Sequence, residues 1–578
     1  MTAVCREAAY PQYSPARIAF WFKVPPFGII LLLLSYLGFI LALEFTDNNI
    51  DGAQHYQALG VRAGWLAVSQ IPLLLLLAGK ANLIGALVGV SYERLNVLHR
   101  WVARSILLCV TLHFGYQSYG WNRYGLMQLE WDTDTCPPTG IAAYALLLWL
   151  NFSSLAPIRN RLYEIFVVQH ILSFIAFIYL IMAHLPSTAL YSRTYVYIGV
   201  GIYFLDRLIR TIRYTYNNIH PRRASLIALD GGVAKVRVQG KQIKSWAPGS
   251  HVFLSIPRLG FGQSHPATIT SIPSSHNGDL VFILKCHKGF TSRLLKSASI
   301  SQSSNLSDLK QEFEASSSAA PEKTYIALIG GPYGACHSDP AAFDTVLFIS
   351  GSTGVTFMCS NLLSLAHRAQ TANRLPLRRV DFVWVVKKVC WTTWISDELI
   401  AAVRGLTEKG IEVKVTIYVT CDDSFTYLPA GNTDSGCTCK TSCNCCDTPA
   451  SGINATGAKE THLDDITSCS TGDKAEEKKT IIIAPTTTAI SQTSSRGAEF
   501  AEKQNLPFAA FVCGRPDMTE LVWELANQAE GEMGIFACGP LGMSMKIRRA
   551  VARVSDERAV HMGTGAEGIY LHVESFAW

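Results

Sequence analysis

Charge of either sign is scarce in this 578-residue chain, with 50 Lys and Arg against 44 Asp and Glu. The excess of +6 is too modest to mark a nucleic-acid partner. Cysteine is plentiful, at sixteen residues, but a pair on the outside is missing. Only Cys136 falls in an expected outward loop, which excludes an extracytoplasmic disulfide within the chain. Most of the others belong to a soluble part expected in the reducing cytosol. No small-residue cleavage site follows the first apolar run, and that run is too long for a signal peptide. The segment after Arg17 and Lys23 therefore reads as an uncleaved first helix. Histidine is sparse too, fifteen in all, so a pattern that takes up four of them carries weight.

Apolar residues make up 49% of the chain, and they are spread unevenly. Residues 27–212 are membrane-like, the remainder reads as soluble α/β sequence, and the length suits two to four domains. Six segments are long enough to span a bilayer, at about 27–43, 61–79, 95–118, 140–156, 162–184 and 194–212. The loops between them alternate in charge. Arg17 and Lys23 come first, then Glu44, Asp47 and Asp51, then Lys80, Arg94 and Arg100. Glu130, Asp132 and Asp134 follow, then Arg159 and Arg161, and Arg207, Arg210, Arg213, Arg222 and Arg223 close the series. The excess of basic residues in cytosolic loops places both termini in the cytosol, with the plasma membrane as the default location.

His99 and His113 are fourteen residues apart in one apolar segment, and His170 and His184 repeat that spacing in another. Fourteen residues advance a helix by about 21 Å and just under four turns, so both members of a pair face one side. Two such helices side by side offer His99 with His170 on the cytosolic side and His113 with His184 on the outer side. That is a geometry for two haems, each iron taking one imidazole from each helix. A lone membrane histidine more often hydrogen-bonds a neighbouring helix; the repeated spacing favours ligation. Arg104, one turn deeper than His99, and Arg100 suit haem propionates, although Arg100 could equally snorkel to the interface. Asn151 heads a glycosylation sequon but lies inside an apolar span. The acidic stretch Gln128 to Asp134 either attracts a cationic acceptor or is simply solvated surface.

After Pro221 the pattern changes to short alternating strands, such as 233–238 and 251–256, which suggests a small antiparallel β-barrel to about residue 335. It contains His265-Pro266-Ala267-Thr268, then Thr291-Ser292-Arg293, then Gly331 and Gly334. Hydroxyls, backbone amides and an arginine suit a pyrophosphate, and a proline-fixed strand edge suits a flat ring. A short Thr/Ser-rich strand is also often only a strand. From Thr345 an apolar strand runs into Gly351-Ser352-Thr353-Gly354-Val355-Thr356 and then a helix, an anion site for a dinucleotide's phosphates. Strands at 380–387 and 534–540 complete a parallel α/β sheet. Arg515 and Lys387 either bind a 2′-phosphate, favouring NADPH over NADH, or are surface charges.

Residues 421–505 interrupt this domain with Ser/Thr/Gly/Asp-rich sequence too poor in apolar surface to offset ordering. Five thiols lie between Cys437 and Cys446. They either form a soft-metal site suited to Cu(I) or Zn(II), or belong to a loop with no metal role.

Taken together, the paired His-x13-His segments, His265-Pro-Ala-Thr, Gly351-Ser-Thr-Gly, Ala537-Cys-Gly-Pro and the terminal Glu574-Ser-Phe-Ala-Trp resemble the fungal ferric reductases. That family is grouped with the flavocytochrome b NADPH oxidases. The resemblance covers nearly the whole chain outside the insertion. It implies a six-helix transmembrane haem domain over 1–216, an FAD barrel over 220–335 and a ferredoxin-reductase-like NADP domain over 340–578. By resemblance, His265 to Thr268 contact the flavin, with Ala267 where the family more often has Phe, and Thr291 to Arg293 lie near its pyrophosphate. Gly351 to Thr356 with Cys538, Gly539 and Pro540 hold the nicotinamide nucleotide. By the same resemblance Trp578 occupies the place where the wider reductase family stacks a terminal aromatic on the flavin ring, so Trp578 and Cys538 are the residues expected at the reacting rings. The implied activity moves electrons from cytosolic NADPH through FAD and two b-type haems to an extracytoplasmic ferric, or cupric, chelate. The alternatives are a superoxide-forming oxidase, where a terminal Phe in place of Trp578 is the more usual ending, and a nucleotide-regulated transporter without haem.

Overall fold

The computed structural model describes residues 5, 7–13, 24–47, 54–240, 243–311, 323–372, 374–422, 501–502, 504–560 and 565–574. The membrane half opens with α1 (Phe27–Phe45), which starts directly after Pro25 and Pro26. Proline suits that place because the first helical N–H groups lack intrahelical partners. Next come α2 (His55–Ser69) and α3 (Ile71–Ala78), one span interrupted at Gln70 where Pro72 removes a backbone N–H and crowds the preceding turn. A short α4 (Leu83–Val88) leads into α5 (Tyr92–Arg123). At 1.5 Å per residue α5 is about 48 Å long, so it projects well beyond a hydrocarbon core of about 30 Å. Then follow α6 (Met127–Thr133), α7 (Cys136–Ser153), α8 (Ala156–Arg161), α9 (Tyr163–His184) and α10 (Arg193–Asn218).

Among the described residues four spans are long and apolar enough to cross a membrane: α1, α2 with α3, α5 and α9. The spans expected at 140–156 and 194–212 are helical, in α7 and α10, but fall below that apolar standard. Helix α7 begins Cys-Pro-Pro-Thr-Gly and holds Asn151, and α10 carries Arg193, Asp206, Arg207, Arg210 and Arg213. Ile71, Leu74, Val102, Ile106, Leu147 and Phe177 pack the bundle core, while Leu34, Phe39, Ile175 and Phe204 face outward. Apolar surface on that scale suits lipid rather than water.

The strands β1 (Arg222–Leu229), β2 (Val233–Val238), β3 (Ser250–Ser255), β4 (His265–Thr268), β5 (Leu280–Lys285) and β6 (Tyr325–Gly334) form an antiparallel sheet in the order β4-β3-β6-β1-β2-β5. Just past β4, Thr270 N–H donates to Val281 O at 2.8 Å, so the two edge strands meet. Helix α11 (Phe290–Gln311) seals the sheet with Phe290 and Leu294.

The last domain runs β7 (Thr345–Gly351), α12 (Val355–Thr371), β8 (Arg379–Val386), α13 (Ser396–Thr407), β9 (Glu412–Val419), β10 (Ala509–Cys513), α14 (Met518–Gln528), β11 (Glu532–Cys538), α15 (Leu541–Val560) and β12 (Gly568–Glu574). All six strands are parallel, in the order β10-β9-β8-β7-β11-β12, so the winding direction reverses between β7 and β11. Strand β7 is buried along its whole length, which is why Thr345 to Gly351 reads as a continuous apolar run. At the sheet's edge, Glu7 Oε1 accepts from Ile569 N–H at 2.8 Å and Tyr10 Oη from Leu571 N–H at 3.0 Å. The amino-terminal residues thus cover the open side of β12. Residues 423–500, with the thiols from Cys437 to Cys446, lie outside the described residues.

Candidate functional site

His99 and His113 both point from α5 toward the α2–α3 span. His99 Nδ1 lies 2.9 Å from Leu74 O, and His113 Nδ1 lies 2.7 Å from Gly60 O. On α9, His184 Nδ1 lies 2.8 Å from Cys136 O. A carbonyl oxygen only accepts, so each of these Nδ1 atoms carries the proton and each Nε2 keeps its lone pair. That is the tautomer a metal ligand needs, with its orientation set by the second nitrogen. His170 Nδ1 is buried and has no partner among the described residues.

The imidazoles of His113 and His184 face each other with ring centroids 5.9 Å apart and planes at 81°. Two metal–nitrogen bonds of about 2 Å plus two ring radii of about 1 Å give about 6 Å, so the separation of the rings leaves room for one ion between them. The backbone is cut away to leave room for the rings. A Cβ on Gly140 would lie 2.6 Å from His184 Cε1, and one on Gly64 3.0 Å from His113 Nδ1. Beside them lies an apolar cavity of about 440 Å³, lined by Val61, Trp65, Ile106, Phe114, Phe177 and Ile181 among others, and reaching Asp134. A space of this size is large enough to receive a bound group. His99 and His170 form the corresponding pair on the other side of the bundle, close enough to interact electrostatically.

Arg100, Arg104 and Arg159 converge next to that second pair. Arg104 also lies over the Trp101 ring at 4.8 Å. Arg159 is 7% exposed, and its Nη2 has no partner among the described residues. Sequence reasoning used Arg159 for topology alone. Its position in the short α8, which turns inward after Ala156-Pro157, carries no periodic signal.

On the antiparallel sheet, His265 stacks on Phe290 with centroids 4.6 Å apart and planes at 11°. Burial lowers the His265 imidazole below its ordinary range. Pro266 pairs with Phe253, Ala267 with Val252 and Thr268 with His251; Ala267 is in the core. Arg293 donates to Gln263 Oε1 at 2.7 Å and to Leu259 O, and Thr291 Oγ1 accepts from His287 N–H at 2.8 Å. His265 and Arg293 therefore flank one loop, with Ser292 between Thr291 and Arg293 at the start of α11. Gly331 and Gly334 both take positive φ in β6, and Gly331 O accepts from Asn217 Nδ2 on α10.

In the parallel sheet, Gly351 ends β7, Ser352 to Gly354 form a tight turn, and Val355 and Thr356 begin α12. A Cβ on Gly354 would lie 2.3 Å from Cys538 O, and one on Gly351 3.0 Å from Pro540 Cδ. Gly539 is equally close-packed, 2.3 Å from Met543 Cε by the same construction. The turn after β7 and the turn after β11 thus meet where the winding reverses, the crevice in which parallel sheets bind nucleotides. Ser352 Oγ is buried there without a partner among the described residues, and Thr356 Oγ1 donates to Thr353 O at 3.0 Å. Cys538 is buried, and burial pushes its thiol far up, so it stays protonated. Arg515 is exposed after β10, and Lys387 follows β8, both on the edge that carries Gly351. Trp578 lies outside the described residues.

Sequence reasoning missed a polar junction between the two halves. Tyr92 Oη and Glu93 Oε1 each lie 3.0 Å from His251 Nε2. Arg94 Nη2 donates to Val573 O at 2.8 Å and lies 3.2 Å from His572 Nε2 and 4.0 Å from Glu574 Oε2. His572 is also 2.9 Å from Glu574 Oε2 and stacks on Phe357. Burial lifts the Glu574 carboxyl to about 7 against the pull of Arg94, and lowers the His572 and His337 imidazoles.

Three family descriptions match this chain in succession. Residues 63–181 match a ferric reductase like transmembrane component, 218–337 an FAD-binding domain, and 343–552 a ferric reductase NAD binding domain. A probable cell surface ferric reductase of Aspergillus oryzae is 29% identical over 65% of this chain and 50% of its own length. A ferric/cupric reductase transmembrane component 2 of Saccharomyces cerevisiae is 26% identical over 94% of this chain and 66% of its own. A solved ferredoxin-NADP+ reductase from Plasmodium falciparum overlays 62% of this chain and 98% of its own, at 10% identity and a TM-score of 0.31, a likeness too slight to bear on the fold. The chain is a membrane flavoprotein of the flavocytochrome b class, and within that class it belongs with the fungal ferric reductases. It spans between half and two thirds of the length of these curated relatives.

Proposed function

We propose that this chain is a transmembrane ferric-chelate reductase that draws on cytosolic NADPH and delivers electrons to an extracytoplasmic ferric or cupric chelate. The observation that carries the reading is the facing pair His113 and His184, with Nδ1 protons committed to Gly60 and Cys136 carbonyls and glycine backbone cleared around the rings. The residues fit a haem there, and by the same logic His99 and His170 hold an inner one, with Arg100, Arg104 and Arg159 for its propionates. Bound FAD would accept hydride from NADPH and pass single electrons on to the haems. The protein supplies position and potential. Six spans over 1–216, a flavin-binding barrel over 220–335 and a nucleotide domain over 340–578 form the corresponding organisation.

The chain's own residues divide the work. His265 to Thr268 with Arg293 orient the flavin and its pyrophosphate, and Gly331 and Gly334 let the backbone approach it. Gly351 to Thr356 receive the nucleotide phosphates, with Cys538 to Pro540 against the nicotinamide, and Arg515 offers charge to a 2′-phosphate. Helix α5, rooted among cytosolic residues and crossing the core, bridges the two compartments. Contacts of Glu7 and Tyr10 with β12 support a cytosolic amino terminus on the same side as the nucleotide domain. The basic inner loops support a plasma-membrane protein with cytosolic termini.

The test is a reduced-minus-oxidised spectrum of membranes given NADPH, read beside external ferric reduction and superoxide formation. Two b-type haem signals with ferric reduction are expected, and His113→Ala should remove the outer signal. A colourless protein overturns the reading; superoxide without metal reduction replaces it with an oxidase.

A further inference from the structure

We infer that the first turn of α5, above all Arg94, is the coupling element that seats both cytosolic domains on the haem-bearing helix and thereby sets electron transfer from flavin to the inner histidine pair. The inference rests on the electron path proposed above. One helical turn reaches two sheets at once. Tyr92 and Glu93 engage His251 on β3 of the antiparallel sheet, while Arg94 engages Val573, His572 and Glu574 on β12 of the parallel sheet.

Neighbouring cations brace the same seam. Lys80 Nζ lies 3.4 Å over the Phe253 ring, and Arg213 donates to Pro332 O at 2.9 Å while lying over Tyr333 at 4.8 Å. An ordinary domain contact would not need a guanidinium set beside His572, whose side chain is only 2% exposed. Arg94 keeps 32% of its own side-chain surface exposed, so the guanidinium reaches the buried imidazole and the Glu574 carboxylate from the rim of the seam, still partly in water. Arg94 precedes His99 by five residues, about 7.5 Å along a rigid helix, so a shift of the seat is felt directly at the inner pair. Electron transfer falls steeply with separation, and misplacements of about 1 Å cost enzymes up to a hundredfold. Arg94 is accordingly a positioning residue that touches neither cofactor.

The experiment uses the full-length holoprotein in detergent. Wild-type haem reduction by NADPH is recorded first; its absence would sink the proposed function, while amide exchange at β12 reads the docking contact independently of it. In Arg94→Ala, flavin reduction by NADPH should keep its rate while haem reduction slows roughly tenfold to a hundredfold. Amide exchange at Tyr570 to Glu574 should rise at the same time. Arg94→Lys keeps the charge but not the planar fork and should restore part of the haem rate. If Arg94→Ala loses its cofactors, Arg94→Lys and Glu93→Gln decide in its place. Haem reduction at the wild-type rate, equal slowing of flavin and haem reduction, or unchanged amide exchange would each overturn the inference.

Discussion

A methyl group on Gly140 would press into His184, 2.6 Å from its Cε1, and the backbone there cannot retreat without moving the Cys136 carbonyl that orients the same ring. Gly140→Ala should therefore cost the outer haem and spare the inner one, seen as the loss of one of two signals in a redox titration. A second residue reports on stability. Glu398 is 2% exposed, with Lys235 Nζ 2.7 Å and His276 Nε2 3.1 Å from its Oε1. Burial alone would raise this carboxyl, but the His276 hydrogen bond and the Lys235 charge outweigh it and hold it at about 2, below its ordinary 4.5. A depressed carboxyl stabilises the fold fully above about pH 4.5, and that contribution, about 3 kcal/mol, is lost as the pH falls toward 2. Glu398→Gln should lower thermal stability at neutral pH and flatten its dependence between pH 4.5 and 2, measured on the solubilised protein.

Elements were more legible than side-chain partners. The His99 to His113 spacing declares itself because a helix returns every 3.6 residues, and the run into Gly351 declares itself because a central parallel strand is apolar on both faces. Helices α7 and α10 were legible as helices, yet their prolines, Asn151 and arginines dilute the apolar signal that marks a span. The junction at Tyr92 to Arg94 was not legible at all, since its partners lie 158 to 480 residues away. The insertion leaves the sheet after β9 with its backbone tied down: Cys421 N–H donates to Lys387 O and Val389 N–H to Asp422 Oδ2. Strand β10 pairs with β9 from Ala509 onward. Because both ends are anchored on one sheet, removing 433–476 should leave NADPH-dependent haem reduction unchanged; a large loss would assign the Cys437 to Cys446 stretch a part in it.

For the whole molecule, the four histidines lie in the helical bundle, and the two glycine turns meet at the reversal of the parallel sheet that follows it in the chain. The order of those parts was readable in the sequence. How they are fastened together was not, because fastening depends on single polar side chains such as Arg94, Glu398 and Asn217 that carry no periodicity. Lengthening the seam should matter more than weakening either domain. Inserting two glycines between Ile219 and His220, where α10 hands over to β1, should leave flavin reduction by NADPH intact and slow the haem step, recorded by the same rapid-mixing traces.

The side chains of Glu7 and Tyr10 occupy hydrogen-bond donors along β12 that would otherwise be bare. Removing residues 1–13 would leave a sticky ribbon on the outermost strand of the nucleotide domain, open to any extended peptide or to a second molecule in the same condition. A shortened protein should then migrate as dimers and larger species on size exclusion, and a bulky fusion at the amino terminus would meet the same seam from the other side.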